Sequence, residues 1–423
     1  MALSKKINLD NILLLLFICL FISREEIFYL PLRGQRPLMV LIFFISIKIL
    51  LTKNISSVFF KKAKWIILVN IYLILIFLFG FGDANDLLQL LLTYLTATSF
   101  FIVGLYWGKN DKTHVLKIFF GILFVLTFVN LIPFVFNAIS TGTINKRALS
   151  IFYGLEESPM IMFWPYVFII GFVGYFLGKS YLVKKWQRFM FNFLFIIFVL
   201  TMIVSAFTAV VLMLTMALGL LIFFKFKDRI NLIQIIYFGI ILGGIFFILK
   251  NIADGTFGDL GGTASKVEAV FAMFGSNDAA NFEEQLDTAS ATRYSLLDIS
   301  YYYISKSPFI GNGYYFASVG DDINKQVASG HSSGVDLWAY FGLFAIPFYF
   351  IFINFITKSY KIANLLENDN KQIGYTICAV TATFFLISFS NPYLQFSSID
   401  LIFLLGGWVL SQFDLLEKKR RQT

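Results

Sequence analysis

Residues 287–350 read DTASATRYSLLDISYYYISKSPFIGNGYYFASVGDDINKQVASGHSSGVDLWAYFGLFAIPFYF, a polar interval that passes abruptly into an apolar run. They close the longest polar stretch of a chain that is 58% hydrophobic and 14% charged. A soluble domain of 423 residues cannot bury that much apolar surface, so lipid must surround most of the chain. The sequence therefore predicts an all-α, polytopic transmembrane helical bundle.

The apolar runs predict about twelve transmembrane helices, because about 20 apolar residues cross the hydrocarbon layer. The predicted segments are 10–23, 37–52, 65–82, 87–107, 118–139, 161–178, 190–206, 208–224, 232–250, 335–357, 374–390 and 398–413. The stretch 190–224 counts as two helices because both flanking segments carry the basic residues typical of cytoplasmic loops, and the turn is expected near Ser205 to Thr208.

This count divides the chain into three predicted regions. Residues 1–250 hold nine N-terminal transmembrane helices, and residues 251–334 form one large extracytoplasmic loop with short helices. Residues 335–423 hold the last three helices and a basic cytoplasmic tail.

The distribution of basic residues predicts the orientation in the membrane. With both termini in the cytoplasm, 23 lysines and arginines face the cytoplasm and ten face outward. This excess is the one that cytoplasmic loops carry. Because the basic residues lie in short segments between apolar runs, the net charge of +9 indicates contact with the lipid bilayer and not with nucleic acid.

A short helix and a turn are predicted within the outward loop. Ser290 suits an N-cap, and Arg293, Leu297, Tyr301 and Ile304 follow at helical spacing, so we expect an amphipathic helix along the membrane surface. The helix should end before the turn PFIGNGYYF (308–316). The glycines of this turn indicate a sharp bend that approaches a helix end.

Arg293 is a candidate for binding phosphate. It lies in a loop whose charge is otherwise acidic, so one arginine on a short helix indicates a directed phosphate contact. A salt bridge to Asp298 or Asp287 explains it equally well.

His331 and Arg147 are two further candidates. An imidazole titrates near neutral pH and can accept a proton from a sugar hydroxyl, although a lone histidine is more often a surface or packed residue. Arg147 lies in the second outward loop and supplies another guanidinium on the same membrane face, unless it is a simple loop charge. Three arginines of the first outward loop form a third basic group: Arg24, Arg33 and Arg36.

The sequence predicts no cofactor and no metal site. Outside the apolar runs it contains no zinc motif, no nucleotide-binding glycine loop and no Asp-x-Asp pattern. Cys19 and Cys378 lie far apart in separate apolar runs and predict no disulfide.

The order of these residues resembles the signature of the O-antigen polymerase and O-antigen ligase superfamily. Arg293, the Pro308-x-x-Gly311-x-Gly313 turn, His331 and the apolar segment after it correspond to that signature. In the second outward loop, Arg147 and Ser158-Pro159 resemble the arginine and the Pro-Asn of the family. Three positions depart from the family pattern: Ser332 stands where the family often has asparagine, Gly334 where an aromatic residue is usual, and Phe207 near where many members place an arginine after a serine.

The resemblance implies a metal-independent glycosyltransferase in the bacterial inner membrane. Its donor would be an oligosaccharide linked to polyprenyl pyrophosphate, transferred to a sugar hydroxyl on the outer face of the membrane. Arg147 and Arg293 would bind the developing pyrophosphate, and His331 would position or deprotonate the acceptor. Asp336 would either orient this histidine or cap the helix.

The resemblance leaves the acceptor and the partners open. Arg24, Arg33, Arg36, Asp336 and Tyr301 are the expected substrate-binding residues. A polymerase, which adds another lipid-linked repeat unit, is favoured over a ligase, which transfers the glycan to a lipid A core. A chain-length regulator and a flippase are further expected partners.

The alternative from a different class is that the protein is itself a flippase or another transporter, although transporters usually place ionisable residues near the bilayer midplane.

Overall fold

The computed structural model describes residues 9–22, 35–52, 55–110, 112–141, 160–204, 208–226, 297–315, 328, 332–366, 368–389, 391–395 and 398–422. In these ranges the chain is helical almost throughout and forms no strand. One isolated parallel bridge joins Gly82 to Tyr314. The predicted all-helical class is therefore confirmed for the described part of the chain.

Thirteen α-helices have defined bounds within these ranges. They are α1 (Leu9–Ile22), α2 (Gln35–Thr52), α3 (Ser56–Lys62), α4 (Lys64–Leu78), α5 (Ala84–Lys109), α6 (Thr113–Thr141), α7 (Met160–Tyr181), α8 (Lys185–Val204), α9 (Thr208–Phe226), α10 (Ser333–Phe341), α11 (Ile346–Leu365), α12 (Asn368–Ile387) and α13 (Ile399–Gln422). Residues 297–306 are also helical, and the short 3-10 turns Gly342–Ala345 and Tyr393–Gln395 precede α11 and α13.

Several helices are suited to a membrane by length and composition. In the described ranges, four runs are long and apolar enough to cross one: Ala84–Lys109, Lys185–Met202, Ser333–Leu365 and Ile399–Lys418. A fifth is added if Pro37–Thr52 and Ser56–Lys62, which meet at 104°, form one span. Eleven of the twelve predicted segments overlap described helices, whereas 232–250 lies outside the described residues.

Some helix bounds differ from those expected. The predicted segment 335–357 is interrupted, because Gly342 adopts a φ of +57° and the helix restarts at Ile346. The predicted segment 65–82 ends at Leu78, where Gly80 and Gly82 take positive φ values. Helix α3 was not predicted. Helix α8 ends at Val204 and α9 begins at Thr208, and residues 205–207, where the turn between them is expected, lie outside the described residues.

The centre of the bundle is a close contact between α5 and α13. A Cβ atom added to Gly104 would overlap the Leu404 carbonyl oxygen, and one added to Gly407 would overlap that of Phe101. A Cβ on Gly108 would lie 2.7 Å from the Cβ of Ser411. Both helices therefore carry small residues four positions apart, which is the pattern that lets apolar helices pack backbone to backbone.

One end of the bundle collects basic side chains, and we call it the basic end. There Lys112 forms an ion pair with Asp10, and Lys62 lies 2.6 Å from the Asp414 carboxylate. Partial burial lowers the pKa of Lys112, but hydrogen bonds to Asp10 and Tyr106 outweigh that effect and raise the pKa above its usual value. The first pair joins the start of α1 to the start of α6, and the second joins the end of α3 to α13.

The opposite end, which we call the turn end, contains residues 307–315 and the start of α10. It is joined to the rest of the bundle by Asp83, which caps α5 by accepting hydrogen bonds from the amides of Asn85 (2.9 Å) and Asp86 (3.1 Å). The amide of Asp83 in turn donates to the Tyr314 carbonyl at 2.9 Å. Residues 307–315, which belong to the polar loop predicted from the sequence, are thus anchored on the helices.

The contact between α5 and α13 predicts that an added methyl group destabilises the protein at Gly407 but not at Gly219. We expect Gly407→Ala to lower the free energy of unfolding by about 1–3 kcal/mol, because the methyl group must displace the α5 backbone. Gly219→Ala in α9 is the matched control, since nothing lies within 4 Å of its added Cβ. Thermal unfolding of the detergent-solubilised protein measures both. Equal midpoints for the two variants would contradict the close contact.

Candidate functional site

The turn after the helical segment 297–306 is shaped by its proline and glycines. Pro308 follows the helix and has no amide hydrogen to continue it, and its carbonyl accepts a hydrogen bond from the Trp338 indole at 3.2 Å. Gly311 has a φ of +84°, and an added Cβ would overlap the Tyr340 carbonyl. Only glycine combines this conformation with so close an approach.

This turn caps the C-terminal end of α10. The last carbonyls of a helix lack partners within the helix, and here the turn supplies them. The Asn312 side chain donates to the Ala339 carbonyl at 2.9 Å, and the Gly313 amide donates to Tyr340 at 3.1 Å. The Asn312 side chain also reaches the Tyr303 carbonyl at 2.9 Å. The expectation that the glycines bring the turn to a helix end is confirmed.

Tyr314 connects the turn to the helices of the bundle. Its amide donates to the Phe81 carbonyl at 3.2 Å, and its hydroxyl donates to the side-chain oxygen of Gln395 at 3.3 Å. The ring packs edge-on against Tyr340, with centroids 4.8 Å apart. Burial raises the pKa of Tyr314 well above its usual value, with a smaller contribution from Asp86. The hydroxyl therefore keeps its proton and remains a hydrogen-bond donor at physiological pH.

Asp336 is a buried carboxylate that joins two separate parts of the sequence. One oxygen accepts a hydrogen bond from the Ser300 hydroxyl at 2.7 Å, and the other accepts one from the Ser332 amide at 3.1 Å. Asp336 itself is fully buried, as is Ser300. A buried charge is costly without such partners, so this arrangement fixes the helix 297–306 against the start of α10.

Ser332 is the N-cap of α10. Its hydroxyl oxygen accepts a hydrogen bond from the Val335 amide at 3.2 Å and donates its proton to the Phe389 carbonyl at 2.7 Å. Of the two roles expected for Asp336, the capping role is observed, because its carboxylate binds the N-cap amide. The other role concerns His331, which lies outside the described residues.

Gly334, one of the departures from the family pattern, has a structural reason. A Cβ at this position would overlap the ring of Phe389. The Gly334 amide donates to the Ser388 carbonyl at 3.0 Å, and its carbonyl accepts from the Tyr349 hydroxyl at 2.6 Å. The ring of Phe389, two residues after the end of α12, occupies the space next to Gly334.

The described residues include three of the predicted site residues. Asp336 is buried in the network just described, and Tyr301 is 56% exposed. Arg36 lies in the first turn of α2. The remaining five lie outside the described residues: Arg24, Arg33, Arg147, Arg293 and His331.

The buried face of the helix 297–306 differs from the expected one. Tyr301 was expected to share a face with Leu297 and Ile304, but it lies on the exposed side with Tyr302. The Ser300 hydroxyl donates a hydrogen bond to Asp336, and the Tyr303 carbonyl accepts one from the Asn312 side chain. These two bonds set the rotation of the helix about its axis. The Tyr301 ring is therefore accessible from outside the bundle.

Sequence reasoning did not single out Ser300, Asn312, Tyr314 or Gln395, although they hold the turn end together. Only Asn312 and Tyr314 had a local signal, because they lie within and directly after the Gly-x-Gly pair. In the described ranges, no three histidine, cysteine or acidic side chains come together as a metal site would require.

The Asp336 network predicts a specific loss of stability. We expect Asp336→Ala to lower the free energy of unfolding by about 1.5–3 kcal/mol, because the Ser300 hydroxyl and the Ser332 amide lose a charged acceptor in a buried place. Asp298→Ala is the control, since Asp298 is an exposed acid in the helix 297–306, which also carries Ser300, and its loss should change stability by less than about 0.5 kcal/mol. Thermal unfolding in detergent would refute the network if the two variants were indistinguishable.

No protein-family model matches the chain, and no curated protein is significantly similar to it. The function therefore has to be inferred from the residues and from the geometry of the turn end.

Proposed function

We propose that the protein is a polysaccharide polymerase of the bacterial inner membrane. It would join oligosaccharide repeat units, carried on polyprenyl pyrophosphate, on the outer face of that membrane. The observation that carries this proposal is the buried network around Asp336. It joins Ser300, seven positions after Arg293 in the sequence, to Ser332, which directly follows His331.

The proposed topology has twelve membrane crossings with the basic end in the cytoplasm. At that end Lys62 pairs with Asp414 and Lys112 with Asp10, and basic residues between apolar helices are typical of cytoplasmic segments. Both termini would then be cytoplasmic, and the turn end would face outward. The exposed residues Tyr301, Tyr302, Phe309 and Ile310 support an interfacial position for the turn, because aromatic side chains favour the membrane–water boundary.

The neighbours of the two proposed catalytic residues are held by the same carboxylate. Ser332, covalently joined to His331, gives its amide to Asp336. Ser300 lies seven residues after Arg293 in the sequence and gives its hydroxyl to the other oxygen. A catalytic group acts best when the surrounding structure limits its freedom, and the rigid network offers such support.

In the proposed reaction, an acceptor sugar hydroxyl attacks the anomeric carbon of the donor. The bond from that carbon to the pyrophosphate oxygen breaks, and the hydroxyl proton passes to His331. Arg293 and Arg147 stabilise the negative charge that develops on the pyrophosphate, so the mechanism requires no metal ion. Tyr301 and the arginines Arg24, Arg33 and Arg36 would contact the remainder of the donor or acceptor, and Asp336 would act through the position of its neighbours.

Replacing the proposed catalytic residues should abolish polymer synthesis. We expect Arg293→Ala and His331→Ala to insert and fold normally but to lose at least about 100-fold in rate, the scale of a lost general base or of a lost charge stabiliser. The measurement is polymer formation by the purified protein in vesicles that contain the lipid-linked donor.

Lys306→Ala is the matched control for this experiment. Lys306 is a basic residue of the same predicted loop, but its ammonium lies over the Tyr302 ring at 4.2 Å and away from the Asp336 network. It should retain full activity. Polymer of normal length from the Arg293 and His331 variants would contradict the proposed site.

The same vesicle system separates the two acceptors and the two classes of protein. A polymerase should lengthen the lipid-linked glycan when no lipid A core is present, whereas a ligase should form product only when that core is added. A flippase should move the donor across the bilayer without forming any new glycosidic bond.

A further inference from the structure

A small polar cavity at the basic end opens between α7, α8 and α12. Its volume is about 130 Å³, room for about four water molecules at about 30 Å³ each. The lining residues are Phe176, Lys179, Ser180, Arg188 and Gln372. The cavity thus presents two cations and an amide, and none of the described residues that line it is acidic.

Both cations are held in place by neutral partners. The Lys179 ammonium donates to the Tyr175 hydroxyl at 2.9 Å, and that hydroxyl donates to the Asn192 side chain at 2.9 Å. The Arg188 Nε donates to the Leu182 carbonyl at 2.8 Å, which leaves the two terminal nitrogens of its guanidinium for another group. In the described part of the chain, neither cation has a carboxylate within ion-pair distance.

Two preorganised cations without an acid form a site for an anion. A guanidinium and an ammonium that converge on one small cavity match a phosphate group, because guanidinium can donate two parallel hydrogen bonds and ammonium adds a point charge. The Gln372 amide supplies a further donor at the rim.

The surroundings of the cavity point to a lipid. Helix α8, which carries Arg188, exposes an apolar stripe along its length, formed by Trp186, Phe189, Phe193, Ile196 and Leu200, each 49–67% exposed. Trp186 lies in the first turn, at the level of the cavity, where tryptophan marks the membrane–water boundary. A headgroup phosphate held by Lys179 and Arg188 would place its acyl chains beside this stripe.

We propose that this cavity binds the phosphodiester of an anionic phospholipid at the basic end of the protein. The inference rests on the membrane placement proposed above and not on the glycan chemistry. Basic pockets between transmembrane helices are a known means of selecting anionic headgroups. The bound lipid would fasten the ends of α7, α8 and α12 to one another.

Native mass spectrometry of the full-length protein tests this proposal. The protein would be titrated with phosphatidylglycerol and with phosphatidylcholine of identical acyl chains. We expect the wild type to prefer phosphatidylglycerol. The double variant Lys179→Gln/Arg188→Gln should lose this preference, with binding about fivefold weaker for each lost cation.

The double variant Lys184→Gln/Lys185→Gln is the matched control. It removes the same charge from Lys184, just before α8, and from Lys185, the first residue of α8, and these two exposed lysines do not line the cavity. It should keep the preference. An equal loss in both double variants would show a general surface attraction and overturn the site. Displacement of the lipid by equimolar glycerol phosphate would identify a soluble phosphate as the ligand and would overturn the proposal too.

Thermal unfolding midpoints of the two double variants are measured first and compared, so that loss of lipid preference through unfolding is recognised. The outcome is also separate from that of the polymerase assay. Loss of lipid preference in the Lys179/Arg188 variant together with normal polymer synthesis would support the lipid site alone. Unchanged preference in that variant, together with loss of synthesis in the Arg293 and His331 variants, would support only the catalytic proposal.

Discussion

The rest of the structure depends on the close approach of α5 and α13. Within a membrane, lipid competes on equal terms with apolar side chains, so helices associate through shape and close contact more than through the hydrophobic effect. Gly104 and Gly407 allow each backbone to reach the other, and both helices continue from this contact to the two ends of the bundle. Toward one end the Tyr94 hydroxyl of α5 binds the Leu394 carbonyl, and toward the other Gln412 of α13 binds the Gly108 carbonyl.

The turn end shows how irregular backbone is kept among apolar helices. Amides and carbonyls buried away from water need partners, and the residues 307–315 find them in the end of α10 and in the connection between α4 and α5. Each partner requires a near approach of two backbones, which explains why Gly82, Gly311 and Gly342 all have positive φ values at this place. The proposed catalytic groups would therefore stand on a rigid support, whereas the aromatic side chains outside it face the surroundings.

The helices could be predicted from the sequence because long apolar runs leave the chain few alternatives to helix. The end of the helix before Pro308 and the close approach at Gly311 could be predicted too, since proline and glycine act locally. The partner of Asp336 could not, because Ser300 is 36 positions away and the pairing depends on the tertiary fold. The interruption at Gly342 also depends on the tertiary fold, because the backbone of Phe309 lies against this residue. A Cβ added to Gly342 would lie 2.5 Å from the Phe309 carbonyl oxygen. The contact between α5 and α13 could have been predicted from Gly104 and Gly108, because small residues four positions apart are typical of close helix packing.

The pairing of Tyr314 with Gly82 has a consequence for the evolution and the engineering of this protein. A surface loop joined to its scaffold only at its two ends can be exchanged between related proteins as a cassette. Here the third attachment, from Phe81 to Asp83, lies more than 200 positions earlier in the sequence. A transplanted loop would meet a foreign surface at that point, so new specificity is more easily acquired by changes at the exposed aromatic residues than by exchange of the whole loop.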